Sequence, residues 1–497
     1  MEYLPTGKQM KKADEYTIQT KGISSLLLME RAADACVSKI ELLGLDLKKI
    51  SIVCGSGNNG GDGFAMARLL QERGFCTYAF LVGNPEHLTK ECKLQIEMLE
   101  KIGGIVITAD QIDVLSVLKD SSLIIDCIFG VGLSRLVSGF YKDVIRLIND
   151  SHVPVVSVDM PSGICADTGS VLGAAVKADY TICIQNRKFG LLIYPGKAYA
   201  GKVFVEDIGI SQDIFTHDLT PITFNADEMR RMLPIRSRDS NKGSFGKLLV
   251  IAGSDGMAGA AYLNALAAYR CGCGLVRIYT PESNRIIMQT LLPEAVLTTY
   301  SSFEKEKLSE LLTWADTVCI GSGLGQGKIA ELIVKEVMRH IEKPLVVDAD
   351  AINILSRHKD WINHSWSQII YTPHLKELER LSDVPIDEIK NDRLKVLDEW
   401  NVSGQIIVCK DAVTVVHSKE QIYVNETGTS VLAKAGAGDV LCGMIGAFLA
   451  TGVPAHMAAS LAVYYHGLAG RVAGELNGER SALAGEIANA IGKAFLC

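Results

Sequence analysis

Small residues and an aspartate stand together near the end of the chain. Residues 433–452 read AKAGAGDVLCGMIGAFLATG, in which Gly436, Ala437 and Gly438 precede Asp439 and an apolar helical run. Small residues let backbone N–H groups crowd round an anion, and a helix N-terminus adds about half a positive charge. The pattern predicts a phosphate-binding turn beside a proton-transfer group. A glycine-rich turn with an aspartate N-cap also begins many ordinary helices, so this alternative stays open here.

A second glycine-rich stretch, CGSGNNGGDGF at residues 54–64, follows the apolar run ISIVC. Gly55, Gly57 and Gly60 match the GxGxxG dinucleotide pattern formally. That fingerprint requires an acidic residue about 20 positions further on. The corresponding region reads TYAFLVGNP and contains neither Asp nor Glu. The pattern therefore disfavours an ordinary NAD-dependent dehydrogenase.

Polar residues at later strand ends complete this first set. Asp126 stands in DCIFGVGLSRL, and Asp159 and Ser162 stand in SVDMPSG, each next to a β-branched run. Loops at the carboxyl ends of parallel strands converge on one crevice. Oxygen groups of Asn59, Asp126 and Ser162 would suit a hard cation, which leaves Asp159 as an acid/base. Each aspartate alone would more often cap a turn or helix.

The second half contains a similar group of strand-end motifs: AGSDGMAGAA at 252–261, GSGLG at 321–325, TPHLKELERL at 372–381 and KDAVT at 410–414. His374 and Glu377 are three apart, on one face of a starting helix. Each residue alone is a weak indication, because an exposed histidine or a strand-end lysine such as Lys410 is common. Their shared place at strand ends favours a joint site.

These motifs need a scaffold of alternating strands and helices. Short β-branched runs alternate with helix-periodic segments through both halves, which predicts an α/β protein with parallel sheets covered on both faces. We expect two helices within residues 8–43, broken near 21–22, and further helices over 62–73 and 90–102. Closing helices are expected over 454–476 and 482–495. The alternation of strands and helices is interrupted at 209–223, so we place the domains at 1–214 and 222–497.

Composition bounds the class of protein. The 497 residues are 48% hydrophobic and 22% charged, with a formal net charge of −7, which is typical of a globular protein without a basic surface for nucleic acid or anionic lipid. We expect neither a signal peptide nor a membrane span. Thirteen cysteines without a CxxC pair indicate buried small hydrophobes in a reducing cytoplasm, not a structural zinc site.

The first half resembles the YjeF N-terminal family of NAD(P)HX epimerases over about residues 8–213, through LMERAA, NNGGDG, DCIFGVGL and VDMPSG. The resemblance implies a Rossmann-like domain in which Asp159 is catalytic. It implies potassium ligands at Asn59, Asp126 and Ser162, in agreement with the cation ligands chosen above. The implied substrate-binding residues are Asn58, Asn59, Gly60, Gly61, Asp62, Gly130, Val131, Gly132, Leu133, Ser134, Arg135, Leu136, Tyr141 and Asp159.

The second half resembles the ribokinase-like superfamily through TPHLKE and AGAGD, and within it the ADP-dependent NAD(P)H-hydrate dehydratases over about residues 224–495. That family often reads KGGSGD or TGGTGD where this chain has KAGAGD, which removes a hydroxyl while the backbone nest survives. The usual Pro-Gly after His374 is also missing. The implied hydrate-binding residues are Ala260, Gly325, His374 and Asp439. The implied nucleotide-binding residues are Lys410, Asp411, Ala412, Val413, Thr414, Gly436, Ala437 and Gly438, within wider segments at 410–414 and 429–438.

Together the resemblances imply a bifunctional repair enzyme for hydrated nicotinamide nucleotides. The first half would interconvert the R and S epimers of NADHX and NADPHX, with K⁺. The second would dehydrate the S epimer with ADP and Mg²⁺, Asp439 acting as general base and AMP and phosphate as products. We also expect a homo-oligomer. Two rivals remain: a ribokinase-like kinase that uses ATP on a free alcohol, and a non-catalytic ligand-sensing module in the first half.

Overall fold

The computed structural model describes residues 1–109, 117–340, 342–362, 368–401 and 405–497. Contacts divide the chain into two compact units. One is Tyr3–Pro221, and the other is Ile222–Cys497 together with Met1–Glu2. Each unit has its own sheet.

The first unit is an all-parallel α/β structure. Its helices are α1 (Gly7–Gln19), α2 (Ser25–Leu42), α3 (Asn58–Glu72), α4 (Lys90–Lys101), α5 (Phe140–Asp150), α6 (Phe189–Leu192) and α7 (Gly196–Tyr199). The short strand β1 (Glu2–Tyr3) belongs to the other sheet. The strands of this sheet are β2 (Ile50–Cys54), β3 (Thr77–Val82), β4 (Val106–Ala109), β5 (Leu123–Cys127), β6 (Val155–Val158), β7 (Tyr180–Ile184) and β8 (Lys202–Glu206). The sheet order is β4-β3-β2-β5-β6-β7-β8, and every neighbouring pair is parallel.

The second unit has the larger, mixed sheet. Its strands are β9 (Ile222–Thr223), β10 (Lys247–Ile251), β11 (Leu275–Pro281), β12 (Val296–Tyr300), β13 (Thr317–Ile320), β14 (Leu345–Val347), β15 (Ile369–Tyr371), β16 (Ile406–Cys409), β17 (Val415–His417) and β18 (Ile422–Val424). The sheet order is β1-β9-β18-β17-β16-β15-β14-β13-β10-β11-β12. Only the β16–β17 and β17–β18 pairs are antiparallel among the pairs for which the described residues define a register.

Helices cover this sheet. They are α8 (Ala226–Met232), α9 (Ala258–Arg270), α10 (Arg285–Leu291), α11 (Lys305–Trp314), α12 (Lys328–His340), α13 (Ala349–Arg357), α14 (Leu375–Ser382), α15 (Ile386–Asn391), α16 (Arg393–Trp400), α17 (Ala437–Ala450), α18 (Ala455–Asn477) and α19 (Ala484–Ala494). Successive residues of β10 enter opposite cores: Leu248 and Val250 join one cluster, and Leu249 and Ile251 join the other. Because strand side chains alternate between faces, this is a three-layer αβα architecture, as predicted.

Local signals explain most element boundaries. The predicted break near residues 21–22 is confirmed: α1 ends at Gln19, Gly22 has a φ of +73°, and Ser24 caps α2. The closing helices lie within one or two residues of their predicted bounds. In contrast, the prediction that Asn58 and Asn59 precede a helix starting at Asp62 is wrong. Helix α3 begins at Asn58, and Gly57 is its N-cap.

The cysteine prediction holds for the strand positions. Cys54, Cys127, Cys183, Cys319 and Cys409 are all buried, and all thirteen cysteines are free. Within the described ranges, no helix is both long and apolar enough to cross a membrane.

Candidate active sites

The first candidate site lies at the carboxyl end of the parallel sheet in the first unit. Asp126, near the end of β5, is fully buried. Its Oδ1 accepts hydrogen bonds from the Ser162 hydroxyl at 2.5 Å and the Ile128 N–H at 3.2 Å. Its Oδ2 accepts from the Ser157 hydroxyl at 2.8 Å and the Ser162 N–H at 2.9 Å. Burial raises the pKa of Asp126, and these four hydrogen bonds offset part of the rise.

Asp126 has the environment of a buried anion that lacks a protein counter-charge. None of the ion pairs found within the described ranges includes Asp126. Asn59, in the first turn of α3, has a buried Nδ2 atom with no hydrogen-bond partner; this N–H group is a donor, so only its Oδ1 could serve a cation. Asn59, Asp126 and Ser162 offer oxygen atoms, which are the ligands that hard monovalent and divalent cations prefer. This donor set therefore fits a cation.

Asp159 follows β6 directly and is 7% exposed. Its φ of +68° is unusual for a residue with a side chain and is typical of functional loops. Its Oδ1 pairs with the ammonium of Lys188, and its Oδ2 accepts a hydrogen bond from the Val131 N–H at 3.2 Å. Lys188 follows β7, is fully buried, and also donates to the Ile184 carbonyl at 2.8 Å.

Two further carboxylates repel Asp159. Burial, followed by the charges of Asp159 and Asp14, raises the pKa of Asp62 well above its usual value. Burial, Glu15 and Asp159 likewise raise the pKa of Asp14, which lies on α1. The site thus combines three carboxylates with one buried ammonium.

The predicted substrate loops meet at Gly130. A Cβ atom added to Gly130 would lie 3.0 Å from Asp159 Oδ2 and 3.2 Å from Asn59 Oδ1, so Asp159, Asn59 and the loop after β5 are brought together. Asn58, Asn59, Gly60, Gly61 and Asp62 form the first turn of α3 and not a loop. Gly132, Ser134, Arg135 and Leu136 are exposed, whereas Val131 and Leu133 are partly buried.

Tyr141 lies at the same edge of the sheet. Its ring packs on Phe129 with centroids 4.9 Å apart, and a Cβ atom on Gly83, just after β3, would meet its hydroxyl at 2.2 Å. Glycine at position 83, with a φ of +120°, therefore leaves the space that Tyr141 occupies.

The second candidate site lies at the carboxyl ends of β10, β13, β14, β15 and β16 in the second unit. Gly436, with a φ of +91°, is the N-cap of α17, so Asp439 is in the first turn and is not the cap. The alternative of an aspartate N-cap is therefore wrong. Burial, followed by the charge of Asp348, raises the pKa of Asp439 to about 7. A carboxylate with this pKa is suited to general-base catalysis near neutral pH.

Asp348 and Lys410 form the charged centre beside Asp439. Asp348 is 1% exposed, and its Oδ1 accepts hydrogen bonds from Lys410 Nζ at 2.9 Å and from the Thr372 hydroxyl at 2.6 Å. Ser322 donates to Asp348 Oδ2 at 3.4 Å. Burial lowers the pKa of Lys410, but the charges of Asp348 and Glu377 outweigh burial and raise it overall. A Cβ atom on Gly438 would lie 3.4 Å from Lys410 Nζ, so the lysine reaches the 436–438 turn.

The predicted nucleotide segment 410–414 turns between β16 and β17. Arg393, at the start of α16 and 2% exposed, pairs with Asp411 at 2.5 Å and donates to the Val413 carbonyl at 3.1 Å. A Cβ atom on Gly428 would meet the Ala412 carbonyl oxygen at 3.1 Å, and Thr414 accepts a hydrogen bond from the Asn425 N–H at 3.0 Å. The segments 410–414 and 425–428 therefore lie side by side.

The predicted hydrate-binding residues fall in two places. A Cβ atom on Gly323 would lie 2.7 Å from Ala260 Cβ, and the Gly325 N–H donates to Asp350 at 2.8 Å. Ala260 and Gly325 therefore line the strand ends of β10 and β13. His374 pairs through its backbone with Lys410. The His374 Nδ1 accepts hydrogen bonds from the Lys376 and Glu377 N–H groups, each at 3.1 Å, as the N-cap of α14.

Several residues escaped the sequence analysis: Asp14, Lys188, Ser322, Asp348 and Arg393. Asp348 stands in DADAIN, and Ser322 stands in GSGLG. The signal that could have found Lys188, Ser322 and Asp348 is their place immediately after, or within four residues of, a buried strand. Asp14 and Arg393 lie on helices and carry no such signal. Among the described residues, no group of three or more His, Cys, Asp or Glu side chains is arranged to hold a metal ion.

Fold and sites define a two-unit α/β enzyme with one carboxylate site at the strand ends of each sheet. A family described as NAD(P)H-hydrate dehydratase matches residues 248–493, and the YjeF-related protein N-terminus matches residues 25–190. A bifunctional NAD(P)H-hydrate repair enzyme of Moorella thermoacetica is 34% identical, covering 98% of this chain and 95% of that protein. The enzyme of the same description from Escherichia coli is 31% identical, covering 96% and 91%.

The chain belongs to the family of bifunctional NAD(P)H-hydrate repair enzymes. Its second unit is also similar to a crystal structure of a ribokinase-like superfamily protein from Enterococcus faecalis, with a TM-score of 0.52 and 27% identity, covering 56% of this chain and 95% of that one. The predicted fold class and the predicted enzyme class, an epimerase joined to a dehydratase, are confirmed.

Proposed function

We propose that residues 1–214 form the epimerase and residues 222–497 the ADP-dependent dehydratase, acting in sequence on NADHX and NADPHX. The observation that carries this proposal is that each unit has a carboxylate at its own strand ends. Asp159 stands in the first unit, and Asp439 stands beside Lys410 and the 436–438 turn in the second.

In the dehydratase, the hydroxyl of the S hydrate is a poor leaving group. Asp439 takes the hydroxyl proton while the oxygen attacks the terminal phosphate of ADP, and AMP departs. The phosphate ester then leaves as phosphate, and loss of a proton from the neighbouring carbon gives NADH or NADPH. General-base catalysis of this kind contributes about 10²–10⁴ in rate.

Local geometry supports binding roles in this unit. Lys410 balances phosphate charge, and the turn of Gly436, Ala437 and Gly438 at the N-terminus of α17 cradles it. Asp411, Ala412, Val413 and Thr414 hold the rest of the nucleotide, while Ala260, Gly325 and His374 line the hydrate site. Mg²⁺ would be held mainly by the phosphate oxygens of the nucleotide, and it would neutralise the charge of the transferring phosphate.

In the epimerase, inversion requires that a bond at the hydroxyl-bearing carbon breaks and re-forms. Asp159 takes the hydroxyl proton as the carbon–nitrogen ring bond opens, and returns a proton to the nitrogen. Closure on the other face reverses both transfers. The turns at 58–62 and 130–136, with Tyr141, hold the dinucleotide. K⁺ bound by Asn59, Asp126 and Ser162 would supply the positive charge that buried Asp126 lacks.

We further infer that the protein works in the cytoplasm as a homo-oligomer. Its thirteen free cysteines, most of them buried, suit a reducing compartment. Analytical ultracentrifugation of the purified chain tests the assembly, and a monomer at micromolar concentration would contradict it.

The test follows the appearance of reduced-nicotinamide absorbance from a mixture of both hydrate epimers, with ADP, ATP or no nucleotide. Full conversion with ADP is the expected result. Conversion that stops once the S epimer is consumed would support the dehydratase activity and contradict the epimerase activity. Asp159→Ala should abolish epimerisation and leave dehydration of the S epimer intact, and Asp439→Ala should do the reverse. Omitting K⁺ should slow only epimerisation.

A further inference from the structure

Lys188 is a fully buried lysine beside Asp159, the proposed carboxylate of the epimerase. Its side chain is 1% exposed, and its ammonium bonds to Asp159 and to the Ile184 carbonyl, the latter at 2.8 Å. Lysine is almost never fully buried unless it is paired. Lys177, on the segment before β7, is exposed.

The carboxylates around Asp159 explain why a cation is needed at this place. Asp62 is 9% exposed, and both Asp62 and Asp14 are close enough to Asp159 for electrostatic repulsion. Among the described residues, neither Asp14 nor Asp62 has an ion-pair partner. Lys188 therefore supplies the positive charge that offsets the repulsion between Asp159 and these neighbours.

The backbone supports the same interpretation. Asp159 is held in a left-handed conformation, and its two oxygens have different partners: Oδ1 pairs with Lys188, and Oδ2 accepts from the Val131 N–H. Oδ2 is also the oxygen that a Cβ atom on Gly130 would meet at 3.0 Å, so it faces the predicted substrate loop. Oδ1 is therefore held by Lys188, and Oδ2 faces the predicted substrate loop.

We propose that Lys188 is a positioning residue of the epimerase, which anchors Oδ1 of Asp159 so that Oδ2 faces the hydroxyl of the substrate. Lys188 does not touch the substrate. This inference rests on the proposed role of Asp159. A buried ion pair is weak evidence for stability alone, because desolvation cancels much of the attraction, so a mainly structural purpose is the poorer explanation.

The test compares Lys188→Met, Lys188→Arg and the control Lys177→Met in the full chain. We expect Lys188→Met to lower the kcat of epimerisation at least about 100-fold, with KM changed less than about threefold. Lys188→Arg keeps the charge but displaces the carboxylate, so kcat should fall about tenfold at unchanged KM. A change in kcat without KM is the signature of an interaction that matters in the transition state. Lys177→Met should behave as wild type.

Because Lys188 lies in the first unit, folding is checked in that unit itself, by limited proteolysis and thermal unfolding of each variant beside wild type. If the first unit of Lys188→Met does not fold, Lys188→Arg decides: wild-type kcat there overturns the proposal, and a lower kcat at unchanged KM supports it. Wild-type kcat in folded Lys188→Met also overturns it, as does a fall in kcat matched by a rise in KM. Asp159→Asn is measured in parallel. If it retains epimerisation, the proposed function of Asp159 fails instead.

Discussion

Replacing Asp348 by Asn should move the pH dependence of dehydration to lower pH. After burial, the charge of Asp348 is the largest cause that raises the pKa of Asp439 to about 7. The Ser322 hydroxyl lies 3.4 Å from Asp348 Oδ2 and also hydrogen-bonds Asp439. Two carboxylates joined through one hydroxyl lie about 6 Å apart. Asparagine keeps the shape of the side chain and removes its charge.

The size of the shift follows from this separation. Two unit charges about 6 Å apart, at an effective dielectric constant of about 20, interact with roughly 3 kcal/mol, or about 2 pKa units. Asp439 is partly exposed, and screening by water reduces this to about 1 to 2 units. The charge of Lys410 already lowers the pKa of Asp439 in the wild type, so it does not oppose the shift in the variant.

The assay measures kcat/KM for the S hydrate with ADP as a function of pH, since this profile reports ionisations of the free enzyme. The acid limb should fall from near 7 to about 5 to 6. Asp350→Asn is the matched control: the charge of Asp350 is the smallest of the causes for Asp439, so the limb should move less. An acid limb at or above the wild-type position, in a variant that still epimerises, would refute the reasoning.

Three further predictions follow from the same geometry. The pKa of Asp439 is about 7 in the folded protein against 3.8 when exposed, so its ionisation lowers the stability of the fold as pH rises between these values. Asp439→Asn should therefore raise Tm by a few degrees at pH 8 and leave it unchanged at pH 4. Equal Tm shifts at both pH values would contradict this. Gly130→Ala should lower epimerisation at least about tenfold by contact with the carboxylate of Asp159, whereas Gly57→Ala, whose added Cβ atom meets nothing within 4 Å, should change it little; equal activities in the two variants would contradict this. Arg393→Lys should raise the KM for ADP about tenfold, because lysine cannot hold both Asp411 and the Val413 carbonyl of segment 410–414. Lys395→Ala, at an exposed position of the same helix, should leave this KM unchanged. Equal KM values in the two variants would argue against the role of Arg393.

The sequence by itself determined the alternation of strands and helices, the three-layer class and the polar residues that end the strands. These properties are local: a buried parallel strand is a short β-branched run, and a turn at its carboxyl end carries small and polar residues. The residue pattern therefore predicts four site candidates, and the family resemblance supports them: Asp126, Asp159, Lys410 and Asp439.

Boundaries that depend on competing local signals were less certain. The polar residues of NNGGDG resemble a loop, yet they form the first turn of α3, because Gly57 takes the extended conformation of an N-cap and leaves the asparagines helical. Similarly, Asp439 has the side chain of a cap, but Gly436 takes that position.

Only the tertiary structure decided which charges face each other. Lys188 pairs with Asp159 across 29 residues of chain, and Lys410 pairs with Asp348 across 62. No local pattern encodes such a distance, because it depends on which strands become neighbours in the sheet. The raised pKa of Asp439 has the same origin, since burial and the charge of Asp348 exist only after β14 and α17 have met at one edge.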